Sequence, residues 1–155
     1  MATLNECRIC SGSELVPVID LGVQPWANNF LTKEQLGTEQ SYPLRVVFCE
    51  TCKGAQLDYT VAKETMFSNH TYLSGMTQTL SDHFRRLAHY CDESFGQLVG
   101  NKTVLDIGSN DGTQLKHYQD LGWEVLGVES SNQTAQIAID NGIPTLNKFF
   151  NEECL

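Results

Sequence analysis

The stretch Thr103-Val-Leu-Asp-Ile-Gly-Ser-Asn-Asp-Gly-Thr113 decides the fold. An apolar run of strand character, residues 103–107, feeds directly into a turn bounded by Gly108 and Gly112, and the pattern from Thr113 to Leu121 is helical. The same succession follows downstream, with a strand predicted over 124–129 and a helix over 133–141 closed by Gly142. Strand, turn, helix, strand, helix implies βαβ units and a parallel sheet.

That turn also suggests chemistry. Glycines at the carboxyl end of a parallel strand, next to a helix N-terminus, let a ligand approach the backbone closely. Glu129 closes the next strand, where a carboxylate can accept hydrogen bonds from ribose hydroxyls. A pyrophosphate binder wants G-x-G-x-x-G, but here Asn110 stands where the middle glycine would be and Asp111 lies beside it. Asp106 and Asp111 bring negative charge to the turn, which suits a sulfonium and an ammonium group better than two phosphates. S-adenosylmethionine is the favoured ligand; a dinucleotide and a turn whose glycines serve packing alone are the alternatives.

Upstream, Leu80, Phe84, Leu87, Cys91 and Phe95 recur at spacings of three and four and predict an amphipathic helix over 79–95, ended by Gly96 or Gly100. His83 falls on the same broad side and reads as a structural hydrogen-bonding residue. His70 and His89 occupy no motif position. The first sixty residues hold short β-like runs at 15–21, 44–48 and 55–59, with too little apolar material for an unaided core. They also hold Cys7-Arg-Ile-Cys10 and Cys49-Glu-Thr-Cys52. Each CxxC puts two thiolates on one tight turn, and two such turns complete a tetrahedral four-thiolate zinc site. The spacer, residues 11–48, is longer than in compact zinc ribbons and implies an insertion carrying residues 22–31. A closed four-thiolate zinc leaves no position for substrate, so its expected role is structural. Metal-free buried or disulfide-bonded cysteines are the other reading, opposed by the reducing conditions of a cytosol.

Composition bounds the rest. With 155 residues, 41% of them hydrophobic and 19% charged, the chain can bury a core. No apolar run approaches the roughly 20 residues of a membrane span, and MATLNECRIC lacks the form of a secretory signal; a cytoplasmic protein is expected. Ten Lys and Arg stand against nineteen Asp and Glu, and residues 101–155 carry three bases and eight acids. A net charge of -9 without a basic stripe argues against general nucleic-acid binding, which depends on neutralising phosphates.

The ordered combination of CxxC, Gly22-Val-Gln-Pro-Trp-Ala-Asn-Asn-Phe30, CxxC, Tyr72-Leu-Ser-Gly75 with His83-Phe84, and Val104-Leu-Asp-Ile-Gly-Ser-Asn-Asp-Gly112 resembles the zinc-containing, S-adenosylmethionine-dependent sugar C-methyltransferases that act on nucleotide-linked deoxysugars. The resemblance implies an α/β chain in three parts. A zinc-ribbon-like domain over 1–60 precedes a helical connector over 61–100 that contributes to the cofactor site, and 101–155 form the first part of a Rossmann-like S-adenosylmethionine-binding sheet. Cys7, Cys10, Cys49 and Cys52 would hold zinc. Gly108, Ser109, Asn110, Asp111 and Gly112 would cradle the methionine part, Glu129 would hold the ribose, Asp106 and Ser130 would belong to the same cofactor site, and Tyr72, Ser74 and Gly75 would pack over the cofactor.

The family's acid-base residues lie beyond this length, so no catalytic residue is assigned. The chain reads as the N-terminal portion of a longer enzyme, expected to show little turnover alone. Two other readings stay open: a non-catalytic zinc-stabilised interaction module, self-associating through an unfinished sheet, and a methyltransferase of another small molecule.

Overall fold

A computed structural model describes residues 3–27, 29–68 and 71–154; His70 lies outside them. The chain divides into two compact units, residues 1–66 and 67–155.

The first unit is built on a three-stranded antiparallel sheet in the order β1 (Leu15–Pro25), β2 (Ser41–Cys49), β3 (Ala55–Leu57). β1 and β2 pair from Leu15↔Cys49 to Pro25↔Ser41, with register shifts between Pro17 and Ile19 and between Asp20 and Val23. Gly22 at φ 69° sits in the second irregularity, where a positive φ is accessible to glycine without steric cost. The sheet therefore continues through residues that the sequence suggested were an insertion, and part of the long spacer between the cysteine pairs is hairpin. Buried Asp58 accepts a hydrogen bond from Arg45 Nε at 2.6 Å and also pairs with its Nη2, tying the end of β3 to β2. This ion pair and the neighbouring Asp20 hold the Arg45 guanidinium above its usual range. A short helix, α1 (Lys63–Phe67), carries the chain into the second unit.

In the second unit, α2 (Gln78–Phe95) precedes the alternating series β4 (Thr103–Ile107), α3 (Thr113–Asp120), β5 (Glu124–Val128), α4 (Asn132–Asp140) and β6 (Thr145–Leu146). The strands form a parallel sheet in the order β4-β5-β6, in register from Thr103↔Glu124 to Ile107↔Val128 and then Gly127↔Thr145. Strand alternation gives the sheet two different faces. Val104 and Val125 pack beneath the helices against two clusters, Ala88, Tyr118 and Trp123 in one and Leu115, Ala138 and Ile143 in the other. Leu105, Ile107, Leu126 and Leu146, on the opposite face, are exposed.

Helix α2 forms where the apolar spacing predicts it, but its buried residue is Ala88; Phe95 is exposed against the edge of Tyr90. A small side chain lets α2 approach α3 closely, so contact centres on Ala88 and not on the bulkier residues flanking it. His83 is exposed beside the Phe84 ring and takes part in no hydrogen bond among the described residues, contrary to its expected structural role. Its position lies outside the contact that Ala88 centres.

Asp92 is the polar clasp of this core. Its Oδ1 accepts from Trp123 Nε1 at 2.8 Å and from Lys102 Nζ at 2.7 Å. Lys102 and Trp123 thereby hold the Asp92 carboxyl below its ordinary range. For an acid whose pKa is depressed by folding, the stabilisation is present above its unfolded value and is lost as pH falls through the folded one. Asp92→Ala is expected to lower the melting temperature at neutral pH and to flatten the acid limb of the stability curve, with Trp123 fluorescence as the readout.

Candidate functional site

The two CxxC segments fold alike. Cys7 N–H donates to Gly12 O at 2.8 Å and Ser11 N–H to Cys7 O at 2.8 Å; in the second segment Cys49 N–H donates to Gly54 O at 2.8 Å and Lys53 N–H to Cys49 O at 2.9 Å. Ser11 and Lys53 both adopt positive φ, 59° and 62°. The repeated element is thus C-x-x-C-x-G, and the glycine spacing after each pair was the signal available in the sequence beyond the cysteines. The second segment is the turn between β2 and β3, while the first leads into β1.

All four sulfur atoms lie within 4.8 Å of one another, with Cys7 and Cys49 buried and Cys10 and Cys52 exposed. The closest pairs are Cys7 to Cys52 at 3.6 Å and Cys10 to Cys49 at 3.7 Å. Tetrahedral zinc with bonds of about 2.3 Å separates its sulfur ligands by about 3.8 Å, so the cluster fits that ion. Amide groups of the knuckles favour the thiolate form: Cys52 and Thr51 backbone N–H groups bring Cys49 down to about 6, and those of Cys10 and Ile9 lower Cys7. At Cys52 the Gly54 amide also pulls down, but the nearby thiols of Cys7 and Cys10 prevail and push it up to about 12. A divalent ion among the four relieves that mutual repulsion.

The second constellation lies at the carboxyl ends of β4 and β5. Every backbone N–H of the turn 108–112 already has an acceptor within the chain. Gly108 and Ser109 donate to Val128 O, Asn110 to Glu129 Oε2 at 2.8 Å, Asp111 to Asn110 Oδ1 at 2.9 Å, and Gly112 to Ser109 O. Gly108 has φ 82°, and a Cβ built on it meets nothing within 4 Å. A side chain there would be strained and would project into open space over the turn.

The segment before α2 is laid onto this turn. Ser74 N–H donates to Asn110 Oδ1 at 2.9 Å, Gly75 N–H to Asp111 Oδ2 at 2.7 Å, and Asn110 Nδ2 to Tyr72 O at 2.9 Å. A Cβ on Gly75 would stand 2.7 Å from Thr113 Oγ1, so the close seating requires glycine. Tyr72, Ser74 and Gly75 are thus brought together with Asn110 and Asp111.

Three sequence-nominated residues have duties that spacing could not show. Buried Asp111 spends its carboxylate on Gly75 N–H and, through Oδ1, on Thr113 N–H and Oγ1, capping α3. Glu129, also buried, accepts from Asn110 N–H with one oxygen and from Ser131 N–H with the other at 2.7 Å, bracing the loops after β4 and β5 against each other. Ser109 turns its hydroxyl under the turn against Gly127, where it has no hydrogen-bond partner among the described residues, so only its backbone borders the open side. Ser130 is half-buried next to Glu129, and the neighbouring Ser131 and Thr113 are participants that no motif had marked.

Asp106 differs from the other acids. Half-buried on the helix-covered face of β4 with Val104, it accepts no hydrogen bond among the described residues. Burial first, and the Glu129 charge second, raise its pKa.

A chain carrying a four-cysteine knuckle pair ahead of a parallel α/β unit with a braced glycine turn has counterparts among known proteins. Residues 7–67 match a family described as "Putative zinc binding domain". Across 151 residues, 97% of this chain, the sequence is 30% identical to C-methyltransferase NovU of Streptomyces niveus. The match spans 36% of that relative, so the chain covers about a third of its length. Among solved structures, the plantazolicin methyltransferase BpumL in complex with SAH is similar over 44% of this chain and 29% of its own, at 20% identity and a TM-score of 0.35.

Two outcomes are expected from this geometry. Elemental analysis should find one zinc per chain, and chelation should unfold residues 1–66 while leaving the Trp123 environment intact. Glu129→Gln replaces one acceptor oxygen by a donor facing a backbone N–H. It should cost about 2 kcal/mol and speed amide hydrogen exchange at Asn110 and Ser131 ahead of the rest of the second unit.

Proposed function

We propose that this chain contributes the cofactor pocket and a zinc-stabilised unit to an S-adenosylmethionine-dependent methyltransferase acting on a carbon of a nucleotide-linked keto-deoxysugar. One observation carries the choice of ligand: the glycine turn holds three acidic side chains close by and offers no free backbone N–H. A pyrophosphate needs donors and positive charge at this position. A ligand with a sulfonium and an ammonium needs acceptors and negative charge, which Asp106 and Glu129 supply. The sugar substrate rests on the ordered resemblance over the chain, and methylation at carbon is supported by similarity to a C-methyltransferase.

In this reading Asp106 receives the ammonium group, the open backbone at Gly108 lets the methionine part lie against the turn, and the lone pairs left on Glu129 take the ribose hydroxyls. The segment 72–75, held down by Asn110 and Asp111, covers the site and limits water. S-adenosylmethionine when bound supplies an electrophilic methyl group; the chain's own residues orient it by hydrogen bonds and charge. Zinc, closed by four thiolates, takes no part in chemistry and maintains the first unit. Six cysteines free of disulfides fit a reducing cytoplasm, and no helix among the described residues is long and apolar enough to cross a membrane.

The exposed apolar face of Leu105, Ile107, Leu126 and Leu146 favours a second reading, an interaction module without a cofactor. Calorimetric titration with S-adenosylmethionine separates the two, since only the first binds it.

Because Asp106 is raised by burial, its ionisation opposes folding. The stability it allows is complete below its unfolded pKa and declines as pH rises through the folded one. Asp106→Asn is therefore expected to raise the melting temperature of the ligand-free chain at neutral pH while weakening S-adenosylmethionine binding by about tenfold or more. Unchanged affinity in this variant would remove Asp106 from the site.

A further inference from the structure

The four sulfurs of the cysteine cluster are alike as ligands but differ in access. Cys10 and Cys52 are exposed while Cys7 and Cys49 are buried, so each knuckle presents one sulfur to solvent and hides the other. That exposure is built into the knuckles. A Cβ on Gly12 would stand 3.3 Å from Cys10 Sγ, and one on Gly54 would stand 3.4 Å from Cys52 Sγ, so the glycine closing each knuckle leaves its exposed sulfur uncovered. The same missing side chains let the knuckles meet closely, since the Gly12 position faces Thr51 Oγ1 at 2.7 Å and the Gly54 position faces Ile9 Cδ1 at 3.0 Å.

The two closest pairs run between the knuckles. Cys52 Sγ lies 3.6 Å from Cys7 Sγ, and Cys10 Sγ lies 3.7 Å from Cys49 Sγ. Each pair therefore sets an exposed sulfur of one knuckle against the buried sulfur of the other, across 45 and 39 residues of sequence. A cysteine that binds zinc does so as a thiolate, and attack by peroxide follows thiolate character and exposure. Two of the four ligands meet both conditions, and a partner sulfur stands behind each.

We infer that the cluster is an oxidation site for hydroperoxides: peroxide attacks at Cys10 and Cys52, the buried Cys49 and Cys7 of the opposite knuckles resolve the products, and zinc leaves while two disulfides hold the segments it held. In the first step the Cys52 thiolate attacks one oxygen of hydrogen peroxide, the O–O bond breaks, and hydroxide departs as the sulfur gives up two electrons and becomes a sulfenic acid. The Cys7 thiolate then attacks that sulfur, the S–O bond breaks, and a second hydroxide departs. Cys10 and Cys49 follow the same course. Two peroxides thus convert four thiolates into two disulfides and four hydroxides, and the ion, left without charged ligands, is released to water. Bonds formed inside each knuckle would leave the two segments unlinked, whereas bonds between knuckles close the loop that the ion closed. The inference does not rest on the function proposed for the glycine turn.

The test treats the zinc-loaded full chain with hydrogen peroxide. A weak chromogenic chelator reports released zinc, dimedone in a parallel sample traps sulfenic acids, and mass spectrometry of peptides maps the disulfides. About two peroxides should be consumed for each zinc released. Trapping should fall on Cys10 and Cys52, and the mapped bonds should join Cys7 with Cys52 and Cys10 with Cys49. The oxidised, zinc-free chain should keep slow amide exchange along β1 and β2, unlike the chain stripped by chelation, and a dithiol reductant with zinc should restore the starting state.

Bonds joining Cys7 with Cys10 and Cys49 with Cys52 would overturn the inference, as would trapping confined to the buried sulfurs or zinc retained at millimolar peroxide. Exchange along β1 and β2 as fast after oxidation as after chelation would overturn it too.

Discussion

The carboxyl end of the parallel sheet in the second unit depends on one buried carboxylate. Glu129 accepts a backbone N–H from the turn after β4 with one oxygen and a backbone N–H from the loop after β5 with the other. Adjacent parallel strands end side by side, and past the bonds from Gly108 and Ser109 to Val128 O the ladder does not reach the loops that follow. Glu129 does, and the same turn then carries Asn110 and Asp111, which in turn hold residues 72–75. Remove that acceptor and both loops lose a partner for a buried donor, a larger penalty than the net worth of an ordinary hydrogen bond.

The first unit solves a different problem by a similar device. A small sheet exposing most of β1 cannot close a core of its own. Two knuckles of the same local form converge on one point, and the ion that fits there joins segments far apart in sequence. In both units backbone amides are directed at a negative atom: at the cysteine sulfurs in the first, at the Glu129 carboxylate in the second.

Periodicity made the second unit legible. β4 was predicted at Thr103–Ile107 and forms there, and α3 and α4 fall within a residue of their expected limits, because strand–turn–helix alternation is a local property of the chain. The extent of β1 and β2 was not legible, since Gly22 reads as a turn residue until pairing across the irregularity absorbs it. Nor could spacing reveal that Ala88, and not its larger neighbours, is the buried residue of α2. Candidate ligand residues were visible as residue types at motif positions. Their division of labour was not: Asp111 caps a helix, Ser109 faces inward, Glu129 braces two loops, and Asp106 accepts no hydrogen bond among the described residues. Such assignments depend on hydrogen bonds between residues 19 to 36 apart in sequence.

A turn whose amides are all engaged before any ligand arrives has a kinetic consequence. Its shape does not wait on a ligand, so in the function proposed above binding would require no rearrangement of this backbone and little ordering entropy. Association of the proposed cofactor would then be governed by diffusion and by the field of the acidic residues, which draws cations inward and weakens as ionic strength rises. Differences in affinity among related ligands would appear in how long each stays, not in how fast each enters.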